Sequence, residues 1–328
     1  MFDLLKKVTF FVVIFLGLSA LIIFIVVKTL QNPMHLPDNG VQNVKSSNAT
    51  YADAVVNTTP DVPHVLAPVT NTENPQVKVV LAVPFINEAP DGNFSGKWKN
   101  ACEEASMTMV EKYYLHEQKV SVTEAKTFMT MLFNFQDKIW GSDVNSDAAR
   151  TKRIIDENTI YNGIIIDNPT VDQIKSELQQ GRPIISPHYG FDLKNKNIPF
   201  LSASRGGTSY HMMVIIGYDD ATKEFITNDD GDQKAGASHR YDYDLFMGSI
   251  HDYNFADGQA DGTPRVIFTY PKLVKMANDS SVYYLYDNIK QHVVGEATFT
   301  AKGWTWNMVN VVEKSWLDNF AAGPDVKI

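Results

Sequence analysis

The hydrophobic and polar positions divide this chain into blocks of different character. Val8 to Val27 is an apolar run without a charge, bounded by Lys6 and Lys7 before it and Lys28 after it. About 20 such residues cross a bilayer as a helix. No convincing small-x-small cleavage site follows Val27, so the run predicts an uncleaved anchor over residues 1–28. Lys6, Lys7 and the amino terminus outweigh Lys28, which places the N-terminus in the cytoplasm and the bulk of the chain outside a cell membrane it crosses once. Residues 29–78 are rich in Asn, Thr, Ser and Pro with few large apolar side chains, and read as a flexible extracytoplasmic linker.

From Val79 the pattern becomes that of a folded domain, taken here as 79–270. Val79 to Phe85 reads as a strand that stops at Pro84, and Asn87 to Lys97 as a turn-forming stretch around Pro90-Asp91-Gly92-Asn93. After Cys102, the residues Ala105, Met109, Val110, Tyr113 and Tyr114 recur at helical spacing. Val122 to Phe135 repeats that period, with Ser121 as N-cap and Glu124 at capping-box distance. Thr170 caps a short helix that Gly181 closes and Pro183 prevents from continuing, and Ile184-Ile185 then opens a short strand. Residues 188–209 read as an exposed loop. His211 to Tyr218 is almost continuously apolar, as in a strand covered on both faces. Lys223 to Asn228 is its hairpin partner and Val266 to Tyr270 a closing strand. Helices followed by antiparallel strands give an α+β class. Residues 271–328 form a small accessory module holding three of the five tryptophans, Trp304, Trp306 and Trp316.

Composition narrows the function. With 44% hydrophobic and 11% aromatic residues the chain can build a core, and its net charge of -9 argues against a nucleic-acid surface. There is no Gly-rich phosphate loop, and no His-x-x-x-His or acidic ligand cluster that would call for a metal, so neither metal nor organic cofactor is expected.

The candidate chemistry centres on Cys102, the one cysteine in 328 residues. It cannot form an intramolecular disulfide, so outside the cytoplasm it is either inert or kept for its reactivity. Its place at a helix start favours a thiolate, although Glu103 and Glu104 oppose that ionisation. A thiolate nucleophile needs a base, and among eight histidines His211 stands at the start of the core strand, where access to a cleft is retained. The hairpin then returns through Asn228-Asp229, which makes Asp229 a candidate orienter of the imidazole and Asn228 its rival.

The order helix-Cys, strand-His, hairpin-Asp resembles that of papain-type cysteine peptidases. Three stretches make the likeness specific: Val83-Pro84-Phe85 through Ala101-Cys102-Glu103-Glu104-Ala105-Ser106; Gly181-Arg182-Pro183-Ile184-Ile185; and Tyr210-His211 to Gly217-Tyr218 with Ile226-Thr227-Asn228-Asp229. Together they resemble the bacteriocin-processing-type cysteine peptidase family, and more closely its membrane-anchored or secreted bacterial relatives. The resemblance implies a papain-like fold with Cys102, His211 and Asp229 as nucleophile, base and orienter. It also implies a glutamine upstream of the cysteine as an oxyanion donor, and here the matching position holds Glu88. An ionised carboxylate cannot donate a hydrogen bond. Either Glu88 is protonated, or Asn87 takes the role, or the backbone N–H of Cys102 serves alone. The C-terminal block resembles a module at the end of bacterial surface proteins, with a Val-Tyr-Tyr strand, a helix starting at Phe299, and Gly303-Trp304-x-Trp306; its aromatics are expected to form a small core. The expected function is an extracytoplasmic cysteine peptidase acting on a peptide or protein substrate. The alternatives are a catalytically impaired binding protein on the same scaffold, and a thiol-dependent acyl or amide transferase.

Overall fold

The computed structural model describes residues 78–141, 145–198 and 210–328. The expected anchor, Val8 to Val27, and all of the linker but Lys78 lie outside the described residues. Among those described, no helix is long and apolar enough to cross a membrane.

The chain is α+β. Strand β1 (Lys78–Val80) leads through an irregular stretch to α1 (Cys102–Tyr114), α2 (Val122–Trp140) and α3 (Ala148–Asn158). Then come β2 (Tyr161–Asp167), α4 (Val171–Gln179), β3 (Ile184–Tyr189), β4 (Tyr210–Asp219), β5 (Glu224–Asn228), β6 (His239–Asp242), α5 (Tyr243–Ser249) and β7 (Arg265–Pro271). These strands form one sheet in the order β2-β7-β3-β4-β5-β6, with β1 pairing the far end of β4, and every pairing is antiparallel.

Local chemistry explains the helix ends. Ser121 and Glu124 form the expected capping box, and α2 stops at Gly141, whose φ of 69° suits a residue without a Cβ. Thr170 and Gln173 form a second box at α4. Three expectations need correction. The strand expected over 79–85 ends at Val80, because from Ile215 back β3 occupies the edge of β4 on which β1 pairs. β3 runs on through His188 and Tyr189 instead of ending as a loop at 188. β7 does not close the sheet but lies between β2 and β3, paired to β2 over seven residues.

β4 is buried along its whole length, as its apolar run predicts. Tyr210, Met212, Val214 and Ile216 join the cluster that contains Cys102 and the buried face of α1. Met213, Ile215 and Tyr218 join the opposite cluster with Ile174 and Leu178 of α4 and Phe246 of α5. Gly217 lets β1 dock, since an added Cβ would stand 2.2 Å from the Val79 carbonyl oxygen and 3.0 Å from Val80 Cα. Both obstacles are backbone and cannot rotate away. Gly217→Ala is expected to cost about 3 kcal/mol, the upper end for overpacking, and to lower Tm by roughly 6–12 °C in thermal unfolding. A Tm within about 2 °C of the parent would show that β1 does not hold this position.

Residues 273–322 contain a second sheet of five strands: β8 (Leu273–Lys275), β9 (Val282–Tyr286), β10 (Ile289–His292), β11 (Val309–Val311) and β12 (Ala321–Ala322), in the order β11-β8-β9-β10-β12. Helices α6 (Gly295–Ala301) and α7 (Lys314–Leu317) complete it. Phe299 is mid-helix, not a helix start. It is buried against the ring of Trp306, 4.7 Å away, while Trp304 stacks on Tyr284 at 5.3 Å. Trp306 itself remains 61% exposed. Asn162 donates to the Leu285 carbonyl, and Asn310 to that of Tyr114, so this sheet is hydrogen-bonded to β2 and to the end of α1.

Candidate active site

Cys102 is the first residue of α1, preceded by a single turn of tight helix over Gly96–Lys99. The backbone N–H groups of a first turn have no partner within the helix. The Cys102 thiol is buried, donates to Glu103 Oε2 at 3.1 Å, and shares its surroundings with Glu88 and Asp230. Burial, reinforced by the charges of Glu103, Asp230 and Glu88, pushes the thiol well above its ordinary value. The thiolate expected from the helix start is therefore not the resting form: loss of hydration and three neighbouring carboxyls outweigh the helix end. In the folded protein, the rate of Cys102 alkylation by iodoacetamide is expected to keep rising with pH past the free-thiol value of about 8.5. A plateau below neutrality would contradict this environment.

His211 lies one residue into β4, and its Nε2 is 2.8 Å from Asp229 Oδ1. Burial works against the Asp229 charge, but His211 and the hydrogen bonds from His211, Tyr241 and Asn195 hold its carboxyl below the usual range. Asp229 is thus a carboxylate, which can only accept, so His211 Nε2 carries a proton in this contact. Nδ1 is buried and without a hydrogen-bond partner, and in the neutral imidazole it is a bare lone pair. That is the acceptor a nucleophile's proton requires.

The tight return after β5 holds Asp229 in place. Its N–H donates to the Gly236 carbonyl at 2.9 Å, and Asp232 caps the turn by accepting from the N–H groups of Lys234 and Ala235. Asn228, the rival orienter, is committed elsewhere: its amide donates to the carbonyls of Val83 and Pro84 and accepts from Ser238 N–H.

Asp229 and Asp230 follow β5 in the turn, and their side chains meet different partners. Asp229 meets His211 and Tyr241, whereas Asp230 Oδ2 accepts from Ser106 Oγ on α1 at 3.0 Å. Asp230 Oδ1 stands 4.0 Å from His211 Nε2. Asp230 therefore links the helix that carries Cys102 with the strand that carries His211. Nothing but its place beside Asp229 marks it in the sequence, and Tyr241 is equally inconspicuous there.

Glu88 is buried, and its Oε1 has no hydrogen-bond partner. Burial, with the charges of Glu103, Asp229 and Glu104, raises its carboxyl well above the ordinary range. This shift favours the neutral acid, the form able to donate a hydrogen bond. Asn87 is used structurally: its amide donates to the Asp230 carbonyl at 2.7 Å and accepts from Ala89 N–H. Among the described residues no group of three or more His, Cys, Asp or Glu side chains is arranged to hold a metal ion.

Comparison with known proteins identifies the family. The family model described as "Peptidase_C39 like family" matches residues 80–261, a span that contains Glu88, Cys102, His211, Asp229 and Tyr241. A solved structure of a C39-like peptidase from Bacillus anthracis is similar at 13% identity over 58% of this chain and 97% of its own, with a TM-score of 0.37. No curated protein matches the chain.

Proposed function

The chain belongs to the Peptidase_C39 like family, and from that premise we propose that it is a membrane-anchored, extracytoplasmic cysteine peptidase with Cys102, His211 and Asp229 as its triad. The observation that carries the reading is the His211–Asp229 pair, with Nε2–H directed to the carboxylate and Nδ1 left bare. In this scheme Cys102 Sγ turns from Glu103 toward Nδ1 and gives up its proton as it attacks the carbonyl carbon of the scissile amide. The oxyanion takes hydrogen bonds from the first-turn N–H of Cys102 and from protonated Glu88. The imidazolium returns its proton to the leaving amine, and Asp229 stabilises the charge meanwhile. Water, deprotonated by His211, then hydrolyses the thioester and frees Cys102. Val8 to Val27 forms the anchor and residues 29–78 the tether, so the active domain works outside the membrane on peptide or protein substrates.

One observation favours a second reading. A thiol sealed from water and held by Glu103 suits a peptidase scaffold that binds peptides without cutting them. Pooled fluorogenic peptides and a peptidyl vinyl sulfone, applied to the full-length protein, separate the two. The peptidase reading expects cleavage and a mass-spectrometric adduct on Cys102 that weakens in His211→Gln. Peptide binding with neither cleavage nor adduct would leave the binding reading standing.

A further inference from the structure

We propose that Tyr241 and Asn195 are positioning residues for the His211–Asp229 pair, holding one oxygen of the carboxylate so that the other serves the imidazole alone. The inference rests on the peptidase reading only for its kinetic consequence; the geometry stands on its own.

Asp229 Oδ1 accepts from His211 at 2.8 Å, while Oδ2 accepts from the Tyr241 hydroxyl and from Asn195 Nδ2, the latter at 3.1 Å. Asn195 also donates to Tyr241 Oη at 3.1 Å and to Asp232 Oδ2 at 3.3 Å. The Tyr241 hydroxyl is therefore polarised by one neighbour as it donates to the next, and such chains strengthen their members. Its ring cannot drift: Tyr241 stands opposite Phe225 in the β5–β6 ladder and packs on His239 at 4.6 Å and Phe246 at 5.8 Å. Asn195 reaches the carboxylate from the segment after β3, and neighbouring Asn197 ties that segment to Asp232 at 2.9 Å.

Positioning matters here because His211 has a second carboxyl within reach. Asp230 Oδ1 is 4.0 Å from the same Nε2 and has no hydrogen-bond partner. A small rotation of the imidazole would exchange Asp229 for Asp230 and turn Nδ1 away from its present direction. With Oδ2 held by two donors, Asp229 keeps its plane and wins that competition. Geometric errors of about 1 Å at such a site can cost roughly a hundredfold in rate.

The test uses full-length Tyr241→Phe, Asn195→Ala and the double variant. Tyr241→Phe keeps the packed ring and removes only the donor. It is expected to lower kcat about tenfold with KM within roughly twofold. Asp229 becomes more basic without that donor and favours the imidazolium, so the acidic limb of kcat/KM should move up by roughly half a pH unit. In 15N-histidine-labelled protein the His211 Nε2–H resonance should shift, further in the double variant than in either single one. An unmoved resonance in Tyr241→Phe overturns the proposal whatever the protein's activity. So does a fall in kcat with an unmoved acidic limb, the mark of a merely structural role. Persistence of turnover in Cys102→Ala would instead overturn the triad reading, and the resonance would still decide the role of Tyr241.

Discussion

Replacing Cys102 by alanine will abolish peptide hydrolysis, a loss on the order of ten-thousandfold or more in kcat, with the fold intact. The side chain is buried but small, and it gives up a single hydrogen bond, to Glu103. Circular dichroism should therefore remain that of the parent. His211 needs a more careful substitution. Alanine there would leave the buried Asp229 carboxylate without the hydrogen bond from His211, at a cost of about 1–3 kcal/mol. His211→Gln retains an amide that can donate toward Asp229 and lacks a group able to take a proton. It is expected to match Cys102→Ala in activity and to exceed His211→Ala in Tm. Full turnover in either Cys102→Ala or His211→Gln, measured with the same peptide pool, would remove the triad.

Glu88 governs the second large effect. A protonated carboxyl donates to the oxyanion and an ionised one repels it, so activity should fall as pH rises through the raised pKa of Glu88. Glu88→Gln supplies an amide donor at every pH, and its alkaline limb should move upward relative to the parent. Glu88→Ala supplies none and is expected to lose about a hundred- to a thousandfold in kcat. Stability gives an independent reading with a definite sign. The folded-state pKa of Glu88 lies above its unfolded value of about 4.3. Its contribution is thus fully present below that value and is lost as pH climbs through the folded one. Glu103 and Asp230 are raised by burial as well and add to the same alkaline decline. The difference between parent and Glu88→Gln isolates the share of Glu88: the variant should hold its Tm better at high pH. Superimposable pH–rate profiles for the two proteins would place Glu88 outside the oxyanion site.

These expectations join two kinds of information. Period and punctuation along the chain sufficed for α1, α2, α4, β4 and β5, because a capping box, a Gly-Pro stop or an unbroken apolar run acts through neighbours a few residues away. They also placed Cys102 at a helix start and His211 at a strand start, and the order of those elements pointed to the family. Less came through where the signal was not local. The pattern does not mark α3 or β2, and it reads β7 as a closing strand rather than one between β2 and β3, because strand order depends on which faces pack rather than on the pattern within a strand.

Ionisation is legible in the sequence only as opposing tendencies, with Glu103 and Glu104 set against the helix start at Cys102 and a protonated Glu88 as one alternative. Desolvation and charges brought close from distant parts of the chain favour the thiol of Cys102 and the neutral form of Glu88, while His211 and hydrogen bonds from His211, Tyr241 and Asn195 favour the carboxylate of Asp229 against burial. Glu88 feels Glu103 and Asp229, and Asp229 is held by Tyr241 and Asn195. Burial and Coulomb energy depend on distance in space. The chain alone therefore determined which residue types stand at which element ends, and tertiary packing decided which of them hold protons.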